Sequence, residues 1–296
     1  MTLERTLVTG ASGLIGRRLA SRLGRGAHAI ALGASDWRES IGRADFRDAT
    51  VFQLAARVPS SVAMEAEFQH DNVEKTRMLA QHAASQGARR LVFLSTIKVN
   101  GEETHDRAFR FDDDAAPEGA YARSKWAAER ALAEIAAATG LAIVVVRSPL
   151  VYGANAKGSL RSLARLADSP VPLPFAALDN RRSFIHVDDL VRALVAAAVK
   201  PEARGTTLLV AHRERLSTAR LVAAMRQRLA RPPRLFGVAA GVLERAAALL
   251  GQSERMHSLT RSLEVDASHA ETLLAWRAEV GAAAAIDDLI AGARAG

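Results

Sequence analysis

Short apolar runs alternate with amphipathic segments along the first half of the chain. The runs have the length and composition of buried strands and lie at 7–9, 29–32, 51–55, 91–95 and 143–146. Between them, apolar residues recur at helical spacing and predict helices at 14–23, 72–86 and 121–139. This alternation predicts a Rossmann-type α/β fold, a doubly wound parallel sheet with helices on both faces.

The pattern loosens after Pro149, where prolines at 170, 172 and 174 interrupt any helix. It resumes with a predicted strand at 184–187 and a helix at 189–199, and short elements follow to the end of the chain. We therefore expect a dinucleotide-binding domain of residues 1–152 plus about 180–200. A smaller substrate-binding domain would comprise about 153–179 plus 201–296, with the cleft between the two.

The spacing between the second and third predicted strands is too short for a standard doubly wound sheet. Only the stretch from Asp36 to Thr50 separates them, and one parallel crossover alone needs a dozen or more residues. We therefore predict that edge strand 3 is missing or vestigial.

A glycine-rich turn follows the first predicted strand and opens the first helix. It reads Thr-Gly-Ala-Ser-Gly-Leu-Ile-Gly over residues 9–16. Such a turn brings backbone amides and the positive end of a helix dipole against a dinucleotide pyrophosphate. The candidate cofactor-binding residues here are Gly10, Ser12, Gly13, Leu14, Ile15 and Gly16.

The residue that would contact the adenosine ribose is not clear from the spacing. An acid is expected about twenty residues after the glycines, and Asp36 comes slightly late for that role. Arg38 could instead meet a 2′-phosphate. The cofactor is therefore NAD or NADP, with NAD slightly favoured.

Tyr121 and Lys125 lie four residues apart and so share one face of a predicted helix. An ammonium beside a phenol favours the phenolate, so we expect Lys125 to lower the pKa of Tyr121 and prepare it for proton transfer. Ser95 and Thr96 end an apolar strand at the carboxyl edge, where open parallel sheets bind ligands.

Composition and charge narrow the function classes. The chain has a net charge of +8, aromatic residues make up only 5%, and cysteine is absent. The arginines favour an anionic small molecule over nucleic acid, because no recognised nucleic-acid module is present. No ligand pattern predicts a metal site. The most apolar segments carry charges too early to span a bilayer and no signal peptide is evident, so we expect a cytoplasmic protein without a membrane span.

Seven motifs together resemble the extended short-chain dehydrogenase/reductases, and within them the NAD-dependent sugar-nucleotide epimerase/dehydratase group. Besides the glycine turn and the Tyr121/Lys125 pair, the likeness rests on 51–56, Asn72-Val73, 93–102, 147–153 and 182–189. The stretch around 95–101 is similar to that of bacterial UDP-sugar 4-epimerases and 4-reductases of surface-polysaccharide pathways.

The resemblance implies roles for individual residues. Thr96, Tyr121 and Lys125 match the catalytic set, and Lys125 would also hold the nicotinamide ribose. Lys98 and Arg182, with Thr96 and Tyr121, match substrate contacts, Arg182 at the diphosphate. The remaining implied cofactor contacts are Leu54, Ala55, Ala56, Asn72, Ser95 and Ser148.

Three departures from the group's pattern stand out. Gln53 replaces a usual histidine, and 36–50 is short where the group walls the adenine, with Asp45 and Phe46 as the remnant. The sequence Leu-Ala-Trp-Arg at 274–277 stands where a Gly-Trp-x-Pro turn is usual. The first two put cofactor affinity in doubt.

Two functions of different class follow. The first is an NAD(P)-dependent UDP-sugar epimerase or reductase that acts at the 4-position with a nucleotide-sugar substrate. The second is a non-catalytic dinucleotide-binding sensor or scaffold. By analogy with the group, we also expect a possible homodimer through the helices at 72–86 and 121–139.

Overall fold

A computed structural model describes residues 3–59, 64–154, 156 and 158–294. The strands are β1 (Thr6–Thr9), β2 (Ala27–Ile30), β3 (Thr50–Gln53), β4 (Arg90–Thr96), β5 (Ile143–Ser148), β6 (Leu150–Tyr152), β7 (Arg182–His186), β8 (Thr207–Leu209) and β9 (Arg215–Leu216). The helices of the first half are α1 (Leu14–Leu23), α2 (Trp37–Gly42), α3 (Glu65–Phe68), α4 (Lys75–Ser85) and α5 (Gly119–Thr139). Those of the second half are α6 (Ser159–Asp168), α7 (Val187–Val199), α8 (Thr218–Arg228), α9 (Ala240–Leu249), α10 (Ser253–Thr260), α11 (Ser268–Leu274) and α12 (Ala282–Arg294).

Six strands of the described residues form one parallel sheet in the order β2-β1-β3-β4-β5-β8. Successive residues of each strand point to opposite faces, so an all-apolar strand supplies two cores. On one face Leu91 and Phe93 pack with α4 and α5, and on the other Val92 and Leu94 pack with α1 and α7. The predicted three-layer α/β fold is confirmed.

The predicted loss of the third strand is also confirmed. Residues 27–53 are all described, and between β2 and β3 they form only the short helix α2. Trp37, Ile41 and Phe46 are buried there and extend the core on the α4 side. The short helix α2 and two buried aromatic side chains thus cover the sheet near the edge formed by β2.

A third apolar cluster lies in the C-terminal half. It gathers residues of α6, α8 and α12 around Tyr152 and Phe184, the part of the chain where we expected the substrate domain. The boundary at residue 201 does not follow the sheet, however, because β8 pairs with β5. β6 and β7 form a separate small sheet with β9.

The segment around Trp276 has a physical explanation for its unusual sequence. Ala275 ends α11 with a left-handed φ of 49°, a conformation that glycine usually supplies. Trp276 is buried in the core formed with α7.

Within the described ranges, no helix has both the length and the apolarity that a bilayer crossing requires.

Candidate functional site

The glycine turn between β1 and α1 has the geometry of an anion-binding loop. Gly10 has a φ of +66°, and a Cβ there would lie 2.9 Å from the backbone nitrogen of Ala55. A Cβ on Gly16 would lie 2.1 Å from the Gly10 carbonyl oxygen. Gly13 is the N-cap residue of α1, and glycine has no side chain that could accept a hydrogen bond from the first turn. The backbone amides of Leu14, Ile15 and Gly16 therefore have no acceptor within the helix. These free amides fit a pyrophosphate, and the exposed Ser12 lies beside them.

A buried polar network fixes the strand end opposite this turn, and the sequence analysis missed it. The Thr9 hydroxyl accepts hydrogen bonds from the backbone amides of Leu54 and Ala55, both at 3.0 Å, and donates to the Gln53 side chain. Gln53 in turn donates to the hydroxyl of Thr76 at 2.8 Å. The Gln53 side chain, which stands where the group has histidine, therefore has hydrogen-bond partners for both its oxygen and its nitrogen. Through Thr9, the network also holds Leu54 and Ala55 close to Gly10.

The residues that would meet the adenosine end lie on an open surface. Asp36 is exposed at the start of α2, with no capping hydrogen bond from its side chain. The guanidinium of Arg38 stacks on the Trp37 ring at 4.3 Å from its centroid. Asp45 instead forms ion pairs with Arg5 and Arg47. Asp36 and Arg38 both stay free to face a ribose or a 2′-phosphate.

Thr96, Tyr121 and Lys125 converge at the carboxyl end of β4. Lys125 is buried and donates to the Leu94 carbonyl oxygen at 2.8 Å. Burial raises the pKa of Tyr121 to about 12, and hydrogen bonding with Thr96 opposes the rise. The expectation that Lys125 lowers this pKa is wrong for the cofactor-free protein, because burial dominates the pKa of Tyr121 and only the hydrogen bond with Thr96 opposes it.

Desolvation acts on the lysine as well. Burial lowers the pKa of Lys125 to about 7, partly offset by the Glu129 carboxylate. The ammonium nitrogen also lies 3.9 Å from the centroid of the Phe93 ring. Lys125 therefore carries a proton that is unusually easy to remove.

Asn72 links the loop after β3 to helix α5. Its side chain accepts from the Arg57 amide at 2.7 Å, and it donates to the Arg57 carbonyl and to the Ser124 hydroxyl. It lies on a π-helical segment, Gln69–Glu74, that precedes α4. Such a segment widens the helix by one residue per turn and is frequent at functional sites. Asn72 thus ties 54–57 to the turn that bears Tyr121.

Ser95 and Ser148 end β4 and β5. The Ser95 hydroxyl donates to the buried carboxylate of Glu129, so its side chain faces α5. Ser148 is buried and pairs in register with Thr96. Ser148 therefore lies beside the catalytic strand end, whereas the Ser95 side chain is engaged in the protein interior.

The expected substrate contacts Lys98 and Arg182 are linked by one acid. Lys98 forms an ion pair with Glu102 at 2.8 Å. Arg182 is buried, its Nε has no partner among the described residues, and one guanidinium nitrogen donates to the Arg261 carbonyl at 2.9 Å. Burial lowers the pKa of Arg182 to about 10, and the charge of Glu102 opposes the shift. The buried Nε–H of Arg182 is therefore a donor that no described residue uses, and guanidinium N–H groups match phosphate oxygens.

His186 and the two following aspartates have structural partners. His186 caps α7, and its ring lies 3.2 Å from a carboxylate oxygen of Asp288. Asp188 pairs with Arg18, and Asp189 accepts from the amides of 279 and 280. Among the described residues no group of His, Asp or Glu is arranged to hold a metal ion.

Sequence comparison assigns most of the chain to one family description. A family model described as NAD dependent epimerase/dehydratase family matches residues 6–211. The UDP-glucose 4-epimerase of Vibrio cholerae is 34% identical over 233 residues, which cover 77% of this chain and 71% of that protein. A dTDP-4-dehydrorhamnose reductase of Mycobacterium tuberculosis is 33% identical over 206 residues, 66% of each protein.

Solved structures share the fold over nearly the whole chain. The UDP-glucuronic acid 4-epimerase from Bacillus cereus in complex with NAD has a TM-score of 0.77 at 19% identity, covering 98% of this chain and 99% of that one. The RMD structure from Pseudomonas aeruginosa complexed with NADPH has a TM-score of 0.80 at 18% identity, covering 99% of both. At these identities the likeness is one of fold.

Proposed function

Because the chain belongs to the NAD-dependent epimerase/dehydratase family, we propose that it moves hydride between a nucleotide sugar and a nicotinamide dinucleotide. We propose a UDP-sugar as the substrate and its 4-position as the reacting centre. The observation that carries the proposal is the convergence of Thr96, Tyr121 and Lys125 above the glycine turn. A protein that only bound the dinucleotide would have no need of this proton-transfer set.

Residues of this chain would contact a dinucleotide at its pyrophosphate, its middle and its nicotinamide ribose, with less contact at the adenosine end. The free amides at 14–16 would hold the pyrophosphate, and residues 54–56 would lie along its middle. Lys125 would hold the nicotinamide ribose, with Asn72 ordering the adjoining loop. Asp36 or Arg38 would meet the adenosine end. When bound, the nicotinamide supplies the hydride acceptor or donor that the chain itself lacks.

Tyr121 would move the proton in either direction of the reaction. As a neutral phenol, the form that its raised pKa favours, it donates to a 4-keto oxygen. As a phenolate stabilised by the Lys125 ammonium, it accepts a proton from a 4-hydroxyl. Thr96 would hydrogen-bond the same sugar oxygen and hold it within reach of Tyr121.

The substrate class rests on the cationic end of the site and on the relatives. Arg182 would donate to the diphosphate, and Lys98 would release Glu102 to meet the ligand. Two relatives carry names that place a 4-epimerisation and a 4-keto reduction on nucleotide sugars. The chain's own residues support both reactions equally.

Turnover assays separate the two reactions. The pure protein is incubated with UDP-glucose, UDP-galactose and a 4-keto nucleotide sugar, with and without added NADH or NADPH. Conversion of a UDP-sugar without added reductant supports an epimerase, and conversion that consumes the reduced cofactor supports a reductase. The proposal fails if no nucleotide sugar is converted under either condition.

The tyrosines offer a matched pair for testing the catalytic assignment. Tyr121→Phe removes the proton donor, so kcat should fall by about 10²–10⁴-fold while the cofactor still binds. Tyr152→Phe serves as the control, because this second tyrosine lies in the C-terminal apolar cluster. Steady-state kinetics and cofactor titration measure both effects. Equal activity of the two variants would contradict the role of Tyr121.

A dinucleotide-binding sensor or scaffold is the second candidate. The specific observation in its favour is the absence of a third strand at 36–50, which leaves the adenosine end open. Cofactor binding that raises the melting temperature, without turnover of any nucleotide sugar, would support this function.

A further inference from the structure

Glu129 is a buried carboxylate one helical turn beyond Lys125. Its oxygens accept from the Arg147 guanidinium at 2.6 Å for Nη2 and 3.1 Å for Nε, and also from the Ser95 hydroxyl. A further nitrogen of Arg147 donates to the Asn100 side chain at 2.9 Å. Both charged side chains are about 5% exposed, so removing either one would leave the other as an uncompensated buried group.

This network reaches the catalytic strand end directly. Ser95 precedes Thr96 in β4, and the carbonyl that holds Lys125 belongs to Leu94 in the same strand. Asn100 closes the helical turn that follows Thr96, since its amide donates to the Ile97 carbonyl at 2.9 Å. Glu129 therefore binds the segment that sets the position of both catalytic partners of Tyr121.

Glu129 is also the charge that Lys125 senses most directly. The other charged groups on elements packed against α5 already have partners of their own. Glu65 pairs with Arg123, Asp71 with Arg57 and Lys75, Lys98 with Glu102, and Arg77 with Glu134. Of the charged side chains in the described part of the chain, the Glu129 carboxylate is the one that acts on the pKa of Lys125, which it raises against the effect of burial.

We propose that Glu129 is a positioning residue of the hydride-transfer site, which through Ser95, Arg147 and Asn100 fixes the end of β4 that holds Thr96 and Lys125. The catalytic consequence rests on the proposed function. The effect on the charge of Lys125 does not, because it is a property of the cofactor-free protein. An ion pair with a purely structural role would stabilise the fold but leave the titration of Lys125 unchanged.

Lysine NMR tests the proposal without substrate or cofactor. The full chain is labelled with [¹³Cε]lysine and titrated between pH 5 and 10, and Lys125→Met assigns the resonance. The chain has few enough lysines to resolve, namely Lys75, Lys98, Lys125, Lys157 and Lys200. Glu129→Gln should lower the Lys125 midpoint by about one pH unit. Arg147→Met should raise it, because the carboxylate then has no cation but Lys125.

Asp189→Asn is the matched control. Asp189 is an equally buried carboxylate, paired with Arg192 on α7 across the sheet. Its loss should lower the melting temperature but leave the Lys125 midpoint where it is. If Glu129→Gln and Arg147→Met do not fold, the double variant E129Q/R147Q removes both buried charges together and should still lower the midpoint.

Kinetics supply the second readout. Glu129→Gln should reduce kcat more than it raises KM, and the alkaline limb of the pH profile should move to lower pH. A Lys125 midpoint unchanged in both single variants would overturn the inference, whatever the activity. A midpoint that shifts as expected in a protein that converts no nucleotide sugar would refute the proposed function alone.

Discussion

The pKa of Lys125 depends strongly on the groups that surround its buried side chain. Its ammonium has a backbone carbonyl and an aromatic ring as nearest partners, and its pKa lies near 7. The spacing of Tyr121 and Lys125 predicts that they meet, but the degree of burial decides which protonation states they adopt. Sequence spacing contains no information about that burial.

The lowered pKa of Lys125 has a consequence for stability. The folded protein releases this proton near pH 7, whereas the unfolded chain keeps it until about pH 10.5. Between pH 7 and pH 10.5 the unfolded state therefore binds more protons than the folded state. The free energy of unfolding should rise by about 1.4 kcal/mol per pH unit over this range, because the penalty for burying the ammonium is relieved. In urea unfolding, the free energy of unfolding of the parent should rise relative to that of Lys125→Met between pH 7 and pH 9. An equal difference at both pH values would contradict the buried-lysine assignment.

At Gln53, comparison with the group's motif did not reveal the hydrogen bonds that the side chain makes. Its replacement of histidine suggested weakened cofactor binding, yet its amide donates to Thr76 and accepts from Thr9. A side chain with both a donor and an acceptor can join two hydroxyls across neighbouring strands and helices. The sequence could not show this, since Thr9 and Thr76 are distant along the chain.

At the scale of elements, the turn from β1 to α1 combines two kinds of glycine. Gly16 is required by packing, because a Cβ would collide with the backbone of Gly10. A Cβ on Gly13 would lie 3.2 Å from the Gly10 carbonyl oxygen, a tight contact that a shift of a few tenths of an ångström relieves, so we expect its missing side chain to matter more to a ligand than to the fold. Both glycines belong to the motif that the sequence made evident, but only the structure separates their roles.

These two glycines predict different defects. Gly16→Ala should cost about 1–3 kcal/mol of folding stability through overpacking. Gly13→Ala should fold normally but lose much of the rise in melting temperature that NAD or NADP produces. Gly42→Ala, which meets open space at the end of α2, is the control for both. Thermal melts with and without cofactor measure the difference. The assignment is wrong if Gly13→Ala is the less stable variant.

The elements themselves were largely predictable where apolar periodicity is strong. The strands at β1, β3, β4 and β5 and the long helix α5 lie where the pattern places them. The π-helical segment before α4 was not predictable, because one added residue in a turn leaves the apolar spacing almost unchanged. The pairing of β8 with β5 was not predictable either, since a three-residue strand has too little pattern to show its partner.

At the scale of the whole molecule, α4 and α5 present a surface suited to a second copy of the chain. A groove of about 380 Å³ runs between them, with Ala84, Ile135 and Ala138 at its apolar part and Gln81 and Glu134 among its polar lining. It lies away from the catalytic strand end. We propose that this face forms a homodimer.

A single charge should disrupt that dimer. Ala138→Arg places a cation inside the groove, so the mass in solution should halve relative to the parent. Ala137→Arg is the control, because the neighbouring position on α5 is exposed outside the groove. Light scattering after size-exclusion chromatography measures the mass. A parent that is already monomeric would refute the dimer.

We expect the missing third strand to affect how long a cofactor stays bound. An epimerase takes back the hydride it removed and therefore gains from never releasing its dinucleotide. A reductase must exchange the spent cofactor after every turnover. The sheet ends at β2 and only α2 lies beside it, so fewer protein groups would contact the adenosine end of a bound dinucleotide. The residence time of the dinucleotide, measured by exchange against a labelled copy, should therefore be short, which would suit a redox enzyme that depends on the cellular cofactor pool.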